Sequence, residues 1–301
     1  MKPLLLALDT NTALRDAMLA SKQFDLGDCT VRNFPDGESY VRILSECAQR
    51  DVVILCTLHQ PDSRIMPLLF CVETLRELGA KSVGLVAPYL AYMRQDIRFH
   101  AGEAVNAKIF ANLIGAHVDW LVTVDPHLHR IHDLAEVYSI PQRTLTAVPL
   151  LAQWLEREIK QPLLIGPDSE SEQWVSSVAK MAHAPYIILE KIRRGDRDVQ
   201  IALPDLQRYR EHTPVLIDDI ISTGHTMIAV IAQLRSVNLP KPVCAAVHGL
   251  FAEKAEEKLL AAGAQRIVTC NTIAHRSNAI DVTELLVGVI DDFYAGKNRS
   301  L

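Results

Sequence analysis

The stretch "PVLIDDIISTGHTM", residues 214–227, is the most informative part of this 301-residue chain. An apolar run is followed by Asp218 and Asp219, and then by Ser222-Thr223-Gly224-His225-Thr226. The apolar run is typical of a buried strand, and ligands of parallel α/β sheets bind at the carboxyl ends of the strands. The residues therefore predict a ligand site where this strand ends.

The composition of the loop indicates what the ligand is. A glycine lets backbone amides turn toward a ligand, hydroxyls add donors, and the start of the following helix, near Thr226, is electropositive, so the loop suits a phosphate. The two carboxylates would repel that phosphate unless they hold sugar hydroxyls or a metal ion. A sugar phosphate satisfies both halves. The alternative, a solvated strand end followed by a helix cap, explains the adjacent acids less well.

The rest of the chain alternates short apolar runs with amphipathic stretches, which predicts an α/β fold with mainly parallel sheets flanked by helices. Two hairpin-like insertions interrupt it, "TVRNFPDGESYVRIL" and "LEKIRRGDRDVQIAL". Residues 51–90 and 213–251 share one layout of strand, polar loop, helix and strand, and Thr57-Leu58 stands where the second copy has the acidic pair. We therefore expect two similar domains, 1–145 and 146–301, joined near residues 141–149.

Composition narrows the class of protein. The net charge is −5, which argues against a nucleic-acid partner. The six cysteines form no C-x-x-C pair and are expected to be reduced core thiols of a cytoplasmic protein. No apolar run approaches about 18 residues, so no membrane span is expected. The N-terminal apolar run is too short for a signal peptide and is better explained as a first strand.

The loop at 214–227 resembles the phosphoribosyl diphosphate loop of the type I phosphoribosyltransferase fold, and four further segments resemble the ribose-phosphate diphosphokinase (PRPP synthetase) family. Two of them are "NFPDGESYVRI" (33–43) and "APYLAYMRQDIRFHAGEAVNAKIFANLI" (87–114). Alone, they would indicate a tight turn and a polar helix edge. The resemblance implies that they contact ATP, the first from a neighbouring subunit, through Asp36, Gly37, Glu38, Arg94 and Gln95, with Asp96 in support.

The third segment, "VTVDPHLHR" (122–130), is similar to the family's D-x-H motif, which implies a magnesium-linked role for His127. Mg²⁺ prefers oxygen ligands, and the D-x-H-x-H spacing also fits zinc or another transition metal. His129 and His132 have no assigned role. Asp168 in "IGPDSESEQWV" (165–175) matches the family's metal-linked aspartate. The same segment departs from the family through Glu170 and Glu172, which either point outward or bind a second cation.

The fourth segment, "LEKIRRGDRDVQI" (189–201), is basic and resembles the mobile loop of the family, whose K-x-R core matches Lys191 and Arg193. Diphosphoryl transfer needs cations where charge spreads over the transferred group, and a closing loop would supply them and exclude water. In isolation this run would be a solvated basic hairpin. The chain contains no G-x-x-x-x-G-K-[ST] loop, so ATP is not expected to be held by a P-loop.

The resemblance implies a Mg²⁺-dependent ribose-phosphate diphosphokinase that converts ATP and ribose 5-phosphate into AMP and 5-phosphoribosyl 1-diphosphate. The enzyme is expected to be a homo-oligomer, at least a dimer. Two rivals are a phosphoribosyltransferase, which needs a base-binding hood for which no segment is left, and a non-catalytic regulatory homologue, which would lack the Lys/Arg loop or the acidic pair. The expected ribose 5-phosphate contacts are Asp218, Asp219, Ser222, Thr223, Gly224, His225 and Thr226.

Overall fold

The computed structural model describes residues 1–8, 11–128, 130–194, 198–202 and 206–295, with the backbone alone described at 190–194 and 198–202. By contacts the chain divides into two units. The first contains Met1–Leu145, Thr272–Ala274 and the described residues from Val282 on, and the second contains Thr146–Asn271 and His275–Asp281. The first unit thus combines the residues up to Leu145 with two later segments of the chain.

The first unit is built on a six-stranded parallel sheet in the order β2-β1-β5-β6-β7-β8. Its inner strands are apolar along their whole length, and all six residues of β6 are buried, because helices cover both faces of such a sheet. The strands of this unit are β1 (Leu4–Ala7), β2 (Asp25–Leu26), β3 (Cys29–Asn33), β4 (Ser39–Ile43), β5 (Asp51–Leu55), β6 (Ser82–Ala87), β7 (Trp120–Val124) and β8 (Gln142–Leu145).

Three helices connect these strands: α1 (Thr12–Ala20), α2 (Asp62–Glu77) and α3 (Asn106–Gly115). Helix α1 begins where the Asn11 side chain accepts a hydrogen bond from the Leu14 amide, as expected of an N-cap asparagine. Gly84 in β6 leaves room for the Trp120 ring of the neighbouring strand, since a Cβ atom there would overlap that ring. The close approach of the two strands therefore depends on this glycine.

The second unit repeats the plan, with a six-stranded parallel sheet in the order β10-β9-β13-β14-β15-β16. The hydrophobic core includes Leu216, Met227 and Leu259. The strands are β9 (Pro162–Gly166), β10 (Tyr186–Ile188), β11 (Glu190–Arg194), β12 (Asp198–Ala202), β13 (Thr213–Ile221), β14 (Val243–Gly249), β15 (Arg266–Cys270) and β16 (Asn278–Ile280), and the helices are α4 (Val148–Glu158), α5 (Glu172–Met181), α6 (His225–Ser236) and α7 (Ala255–Ala262).

Both predicted insertions are antiparallel hairpins. Strands β3 and β4 pair from Cys29 with Ile43 to Asn33 with Ser39, and β11 pairs with β12. The expected α/β fold with two similar, mainly parallel sheets and short hairpins is confirmed.

Three details differ from the sequence expectation. The region around 141–149 is not a plain connection, because Gln142–Leu145 forms the edge strand β8 of the first sheet. Asp218 and Asp219 lie inside β13, which continues to Ile221. The last helix, α8 (Thr283–Ala295), belongs to the first unit, where the Phe293 ring stacks on Trp120 at a centroid distance of 4.5 Å. The functional assignment of 1–145 and 146–301 remains a prediction.

Among the described residues, no helix combines the length and the apolar character needed to cross a membrane. All six cysteines are free thiols, and all but the half-buried Cys29 are buried. Burial raises the pKa of the Cys244 thiol to about 12, so this group stays protonated and unreactive at neutral pH.

Candidate active site

The acidic pair of β13 lies beyond the last residues that pair with β9. The ladder between these strands ends at Leu216 and Ile165, whereas β13 continues alongside β14, with Asp218 opposite Ala246. Both aspartates are half-buried, and the Asp219 amide donates to Asp218 Oδ1 at 3.0 Å. The pair therefore lies at the carboxyl edge of the sheet, where a parallel α/β unit binds its ligand.

Three carboxylates meet at this edge. The pKa of Asp218 is raised well above its usual range, first because burial removes water from the charged form and then because the charges of Asp219 and Asp168 repel it. A cluster of this kind is stabilised by groups that bring positive charge or hydroxyl donors to it. The arrangement can therefore hold a cation, sugar hydroxyls, or both.

Asp168 follows β9 and begins a short 3₁₀ turn at Ser169–Ser171. Its Oδ1 accepts a hydrogen bond from the Ser171 amide at 3.2 Å, and Ser171 Oγ donates to the Asp168 carbonyl at 2.7 Å. Gly166 permits this tight return, since a Cβ atom there would lie 2.8 Å from Ser171 Oγ. Glu172 is exposed in the first turn of α5, and the Glu170 side chain is outside the described part of the chain.

The predicted phosphate loop joins β13 to α6. Gly224 has a φ of +71° and is the N-cap of α6, which begins at His225, one residue before the expected start. No side chain caps this helix, so its first amides, which lack partners within the helix, are left for a ligand. The Leu250 and Phe251 amides both donate to the Ile221 carbonyl, at 2.9 and 3.2 Å, and so fix the start of the loop.

Lys191 and Arg193 lie in β11. Their backbone positions pair with Ile201 and Val199 of β12. The predicted basic segment thus forms one strand of the hairpin inserted between β10 and the 3₁₀ turn at Gln207–Tyr209.

The β3–β4 hairpin of the first unit carries three of the expected nucleotide contacts, Asp36, Gly37 and Glu38, at its turn. Gly37 has a φ of +95°, and the Glu38 amide donates to Asp36 Oδ1 at 3.2 Å. All three residues are exposed. The hairpin therefore presents two carboxylates and a glycine backbone to the solvent.

Arg94 and Gln95 differ in their surroundings. Arg94 is exposed, whereas Gln95 is half-buried at the start of α3. Its side-chain oxygen accepts from Asn106 Nδ2 at 3.0 Å, and its carbonyl accepts from the Ala107 amide at 3.2 Å. Gln95 thus anchors α3, and Arg94 is the member of the pair whose side chain is directed to solvent.

His127 is half-buried in the segment after β7, where Asp125 has a φ of +34° and donates its amide to the Leu145 carbonyl. His132 is exposed, and His129 lies outside the described residues. Within the described ranges, no group of three or more His, Cys, Asp or Glu side chains has the arrangement of a metal site. His127 belongs to the first unit and Asp168 to the second.

Two side-chain pairs near these segments were not predicted from the sequence. The Tyr92 hydroxyl donates to Asp62 Oδ1, which raises the pKa of Tyr92 to about 12. Asp96, expected to support its neighbours Arg94 and Gln95, bonds instead to Arg130. Partners 30 and 34 residues apart carry no local sequence signal.

Comparison with known proteins agrees with this geometry. The family model for the N-terminal domain of ribose phosphate pyrophosphokinase matches residues 4–117, and that for the phosphoribosyl transferase domain matches residues 134–285. A ribose-phosphate pyrophosphokinase of Methanothermobacter thermautotrophicus is 34% identical over 280 residues, which cover 91% of this chain and 96% of the relative. The chain belongs to the ribose-phosphate pyrophosphokinase family.

Other members give the same result. The Methanobrevibacter smithii enzyme of that name is 31% identical over 89% of this chain and 93% of its own length. The crystal structure of phosphoribosylpyrophosphate synthetase from Mycobacterium smegmatis superposes with a TM-score of 0.85, covering 98% of this chain and all of that one, at 22% identity. The resemblance predicted from the motifs is thereby confirmed, and the shared fold extends over nearly the whole chain.

Proposed function

We propose that this pyrophosphokinase-family chain is an active ribose-phosphate diphosphokinase, converting ATP and ribose 5-phosphate into AMP and 5-phosphoribosyl 1-diphosphate. The observation that carries the proposal is the carboxyl edge of the second sheet. There the Asp218 carboxyl, whose pKa is raised by burial and by the charges of Asp219 and Asp168, lies on the strand that leads to the uncapped start of α6 at Gly224. One half suits sugar hydroxyls and the other half suits a phosphate. The reaction that uses such a ligand is inferred from membership in the family.

In the proposed reaction the oxygen of the sugar's anomeric hydroxyl attacks the β-phosphorus of ATP. The new bond joins that oxygen to the β-phosphorus, and the bond between the β-phosphorus and the oxygen bridging to the α-phosphorus breaks. AMP leaves with that oxygen, and the hydroxyl proton is released. Because the transferred group carries spread negative charge, positioning and cations supply most of the catalysis.

The residues of the second unit bind the acceptor in this proposal. The amides and hydroxyls of Ser222–Thr226 hold the 5-phosphate, and Asp218 and Asp219 accept hydrogen bonds from the ring hydroxyls. Lys191 and Arg193 bring positive charge to the transferring group. In the first unit, Asp36, Gly37, Glu38, Arg94 and Gln95 are proposed to bind the nucleotide.

Magnesium fits the donor set of this edge. The charges of Asp219 and Asp168 raise the pKa of the Asp218 carboxyl, so a cation at this edge would be favoured, and oxygen donors are those that Mg²⁺ prefers. We propose Asp168 and His127 as residues that would help to hold the ion. When bound, Mg²⁺ neutralises charge on the nucleotide phosphates.

The proposal includes a homo-oligomer, because the family resemblance implies that the 33–43 hairpin reaches the ATP of a neighbouring subunit. It also keeps the cytoplasm as the expected compartment and small molecules as the only substrates. Sedimentation of the purified protein, with and without Mg-ATP, tests the oligomeric state directly.

One assay tests the reaction. The protein is incubated with Mg²⁺, ATP and ribose 5-phosphate, without any nucleobase, and AMP is measured. Formation of AMP together with 5-phosphoribosyl 1-diphosphate is expected, and its absence would refute the proposal. A phosphoribosyltransferase would show no AMP here but would consume 5-phosphoribosyl 1-diphosphate once a base is added, and a non-catalytic homologue would do neither.

A substitution in the β11–β12 hairpin tests the proposed role of its cations. Lys191→Ala is expected to abolish turnover, because one of the two cations for the diphosphoryl group is removed. Thermal unfolding should match that of the unsubstituted protein, since the residue lies in the two-stranded hairpin outside both six-stranded sheets. A variant with a normal rate would remove this hairpin from the mechanism.

A further inference from the structure

Two loops of the first unit carry proposed active-site residues. The loop after β6 carries Arg94 and Gln95, and the loop after β7 carries His127. These strands are neighbours in the sheet, with Ala87 opposite Thr123, so both loops leave the sheet at the same edge. Whatever links the loops therefore sets how the nucleotide-binding half of the site is assembled.

Asp96 and Arg130 form such a link. Asp96 Oδ2 accepts a hydrogen bond from the Arg130 backbone amide at 3.2 Å, and Asp96 Oδ1 accepts one from the Arg130 guanidinium at 3.1 Å. The Asp96 side chain is only 5% exposed, whereas that of Arg130 is 43% exposed. One buried carboxylate thus holds both the main chain and the side chain of a residue from the other loop.

An aromatic ring adds to the same link. The Arg130 guanidinium carbon lies 5.5 Å from the centroid of the Phe99 ring, within the range of a cation–π contact. Phe99 is itself placed by Glu103, whose carboxylate accepts from the amides of Phe99 and His100 at 2.8 and 3.1 Å. Arg130 therefore contacts the first loop at two separate points.

Further bonds attach the ends of these loops to neighbouring elements. Gln95 is fixed to Asn106 of α3, and the Asp125 amide is fixed to the Leu145 carbonyl of β8. His127 lies between Asp125 and Arg130. Both attachments therefore affect the position of His127. The Asp125 amide bonds the segment to β8 of the sheet, and Arg130 bonds it to the loop after β6.

We propose that Arg130 is a positioning residue, which holds the His127 segment against the nucleotide loop through the buried carboxylate of Asp96. The inference rests on the proposed function, since it assigns Arg130 to the support of the proposed nucleotide-binding residues of the first unit. Groups that orient ligand residues without touching the ligand typically change metal affinity or activity about 10- to 100-fold when removed.

The test compares Arg130→Ala, Arg130→Lys and Asp96→Asn with the unsubstituted enzyme. Arg143→Ala is the matched control, because Arg143 is another exposed arginine of this unit near an aromatic ring, 5.6 Å from the Phe293 centroid. AMP formation is measured while ATP, Mg²⁺ and ribose 5-phosphate are varied separately. Binding of a non-hydrolysable ATP analogue with Mg²⁺ and hydrogen exchange of the 127–131 amides are measured on the same proteins.

Arg130→Ala is expected to raise the KM for Mg-ATP about 10- to 100-fold, to weaken binding of the analogue by a similar factor and to speed hydrogen exchange of the 127–131 amides. The KM for ribose 5-phosphate should not change. Arg130→Lys should recover part of the loss, since a single charge can reach Asp96. The double variant that combines Arg130→Ala with Asp96→Asn should be no worse than the worse single one, because both substitutions break the same pair. Arg143→Ala should behave as the unsubstituted enzyme.

Three results would overturn the inference: an Arg130→Ala enzyme with unchanged KM for Mg-ATP and unchanged exchange, a parallel rise in the KM for ribose 5-phosphate, or additive losses in the double variant. If the unsubstituted protein forms no AMP, the proposed function fails instead. Analogue binding and hydrogen exchange of the 127–131 amides then still decide whether the pair positions this segment.

Discussion

The loops after β5 and β13 occupy the same place in two sheets of the same strand order, yet their polar groups are used differently. Each loop leaves the third strand of its sheet and enters a helix that leads to the fourth. The two units thus provide an internal comparison between a loop expected to bind a phosphate and a related loop that is not.

The loop of the first unit is bonded to its own unit. The buried Thr57 hydroxyl donates to the Thr272 carbonyl at 2.9 Å, and the Arg64 guanidinium donates to the His59 carbonyl at 2.7 Å. Helix α2 has Asp62 in its first turn, and this carboxylate accepts the Tyr92 hydroxyl. A carboxylate at the helix start fills the position that a phosphate would need and would repel it.

The loop of the second unit has the opposite character. Helix α6 has no acidic residue in its first turn and no side-chain cap, and Gly224 sets its start through a left-handed φ. The difference between the loops therefore lies in two features, the charge at the helix start and the polar groups already bonded. The shared backbone layout does not by itself create a binding site.

The largest effect on ribose 5-phosphate binding is expected from placing an aspartate in the first turn of α6, as Asp62 is placed in the first turn of α2. In His225→Asp a carboxylate stands at the first helical residue, where it should stabilise the helix by about 0.3–1 kcal/mol. The same charge should repel the 5-phosphate, since like charges about 4 Å apart near a protein surface cost about 4 kcal/mol. We expect the KM for ribose 5-phosphate to rise on the order of 1,000-fold while thermal stability rises.

His225→Asn is the control for this substitution, because it changes the side chain without adding charge. Asp62→Asn in the first unit should leave the KM for ribose 5-phosphate unchanged. A His225→Asp enzyme that binds ribose 5-phosphate normally would show that the phosphate does not approach the start of α6.

A smaller effect is expected from Asp219→Asn, which makes the acidic pair resemble the uncharged Thr57-Leu58 of the first copy. Loss of a charged hydrogen-bond acceptor, worth about 1.5–3 kcal/mol, should raise the KM for ribose 5-phosphate about 10- to 100-fold. The ligand-free protein should become more stable at neutral pH, because a charge that raises the pKa of Asp218 is gone.

The pH dependence of this stability change follows from the linkage between protonation and folding. A carboxyl whose pKa is raised in the folded state stabilises the fold fully below its unfolded pKa, about 3.9, and this contribution is lost as the pH rises through the folded value. The stability gain of Asp219→Asn should therefore be present at pH 7 and disappear below about pH 4. Urea unfolding at both pH values measures it, with exposed Asp292→Asn as control. Equal stabilities at pH 7 would contradict the electrostatic account.

The sequence predicted the parts of the fold that depend on local pattern. The apolar strands, the two hairpins and the glycine-containing phosphate loop are each visible within about ten residues, because burial and turn chemistry act over that range. Strand β8 was missed because Gln142–Leu145 lies at the sheet edge, with a polar and largely exposed pattern. An edge strand needs few apolar residues, so its sequence resembles that of a connection.

The parts of the site that the sequence did not predict are contacts between distant segments. The link between Asp96 and Arg130 depends on β6 and β7 being neighbours, which no local pattern specifies. The same holds for Asp62 and Tyr92. Motif resemblance named the residues expected to touch ligands, whereas the residues that place them appear only when the sheet order is known.

The smallest expected effect concerns the left-handed residue before α6. In Gly224→Ala a side chain is forced into φ +71°, which costs about 1–2 kcal/mol, and the new Cβ atom would lie 3.2 Å from Leu259 Cγ. Gly288→Ala in α8 is the matched control, because nothing lies within 4 Å of its Cβ position and alanine in a helix interior is favoured by about 1 kcal/mol.

The two glycine substitutions should therefore change the free energy of unfolding in opposite directions, as measured by urea titration. Gly224→Ala should also weaken the binding of ribose 5-phosphate, because the backbone conformation of this residue sets the direction of the loop amides. Gly288→Ala should leave that binding unchanged. If Gly224→Ala lowers stability but leaves the KM for ribose 5-phosphate unchanged, the left-handed turn serves only the fold of the second unit. In that case the charge at the helix start alone would separate the binding loop from its copy.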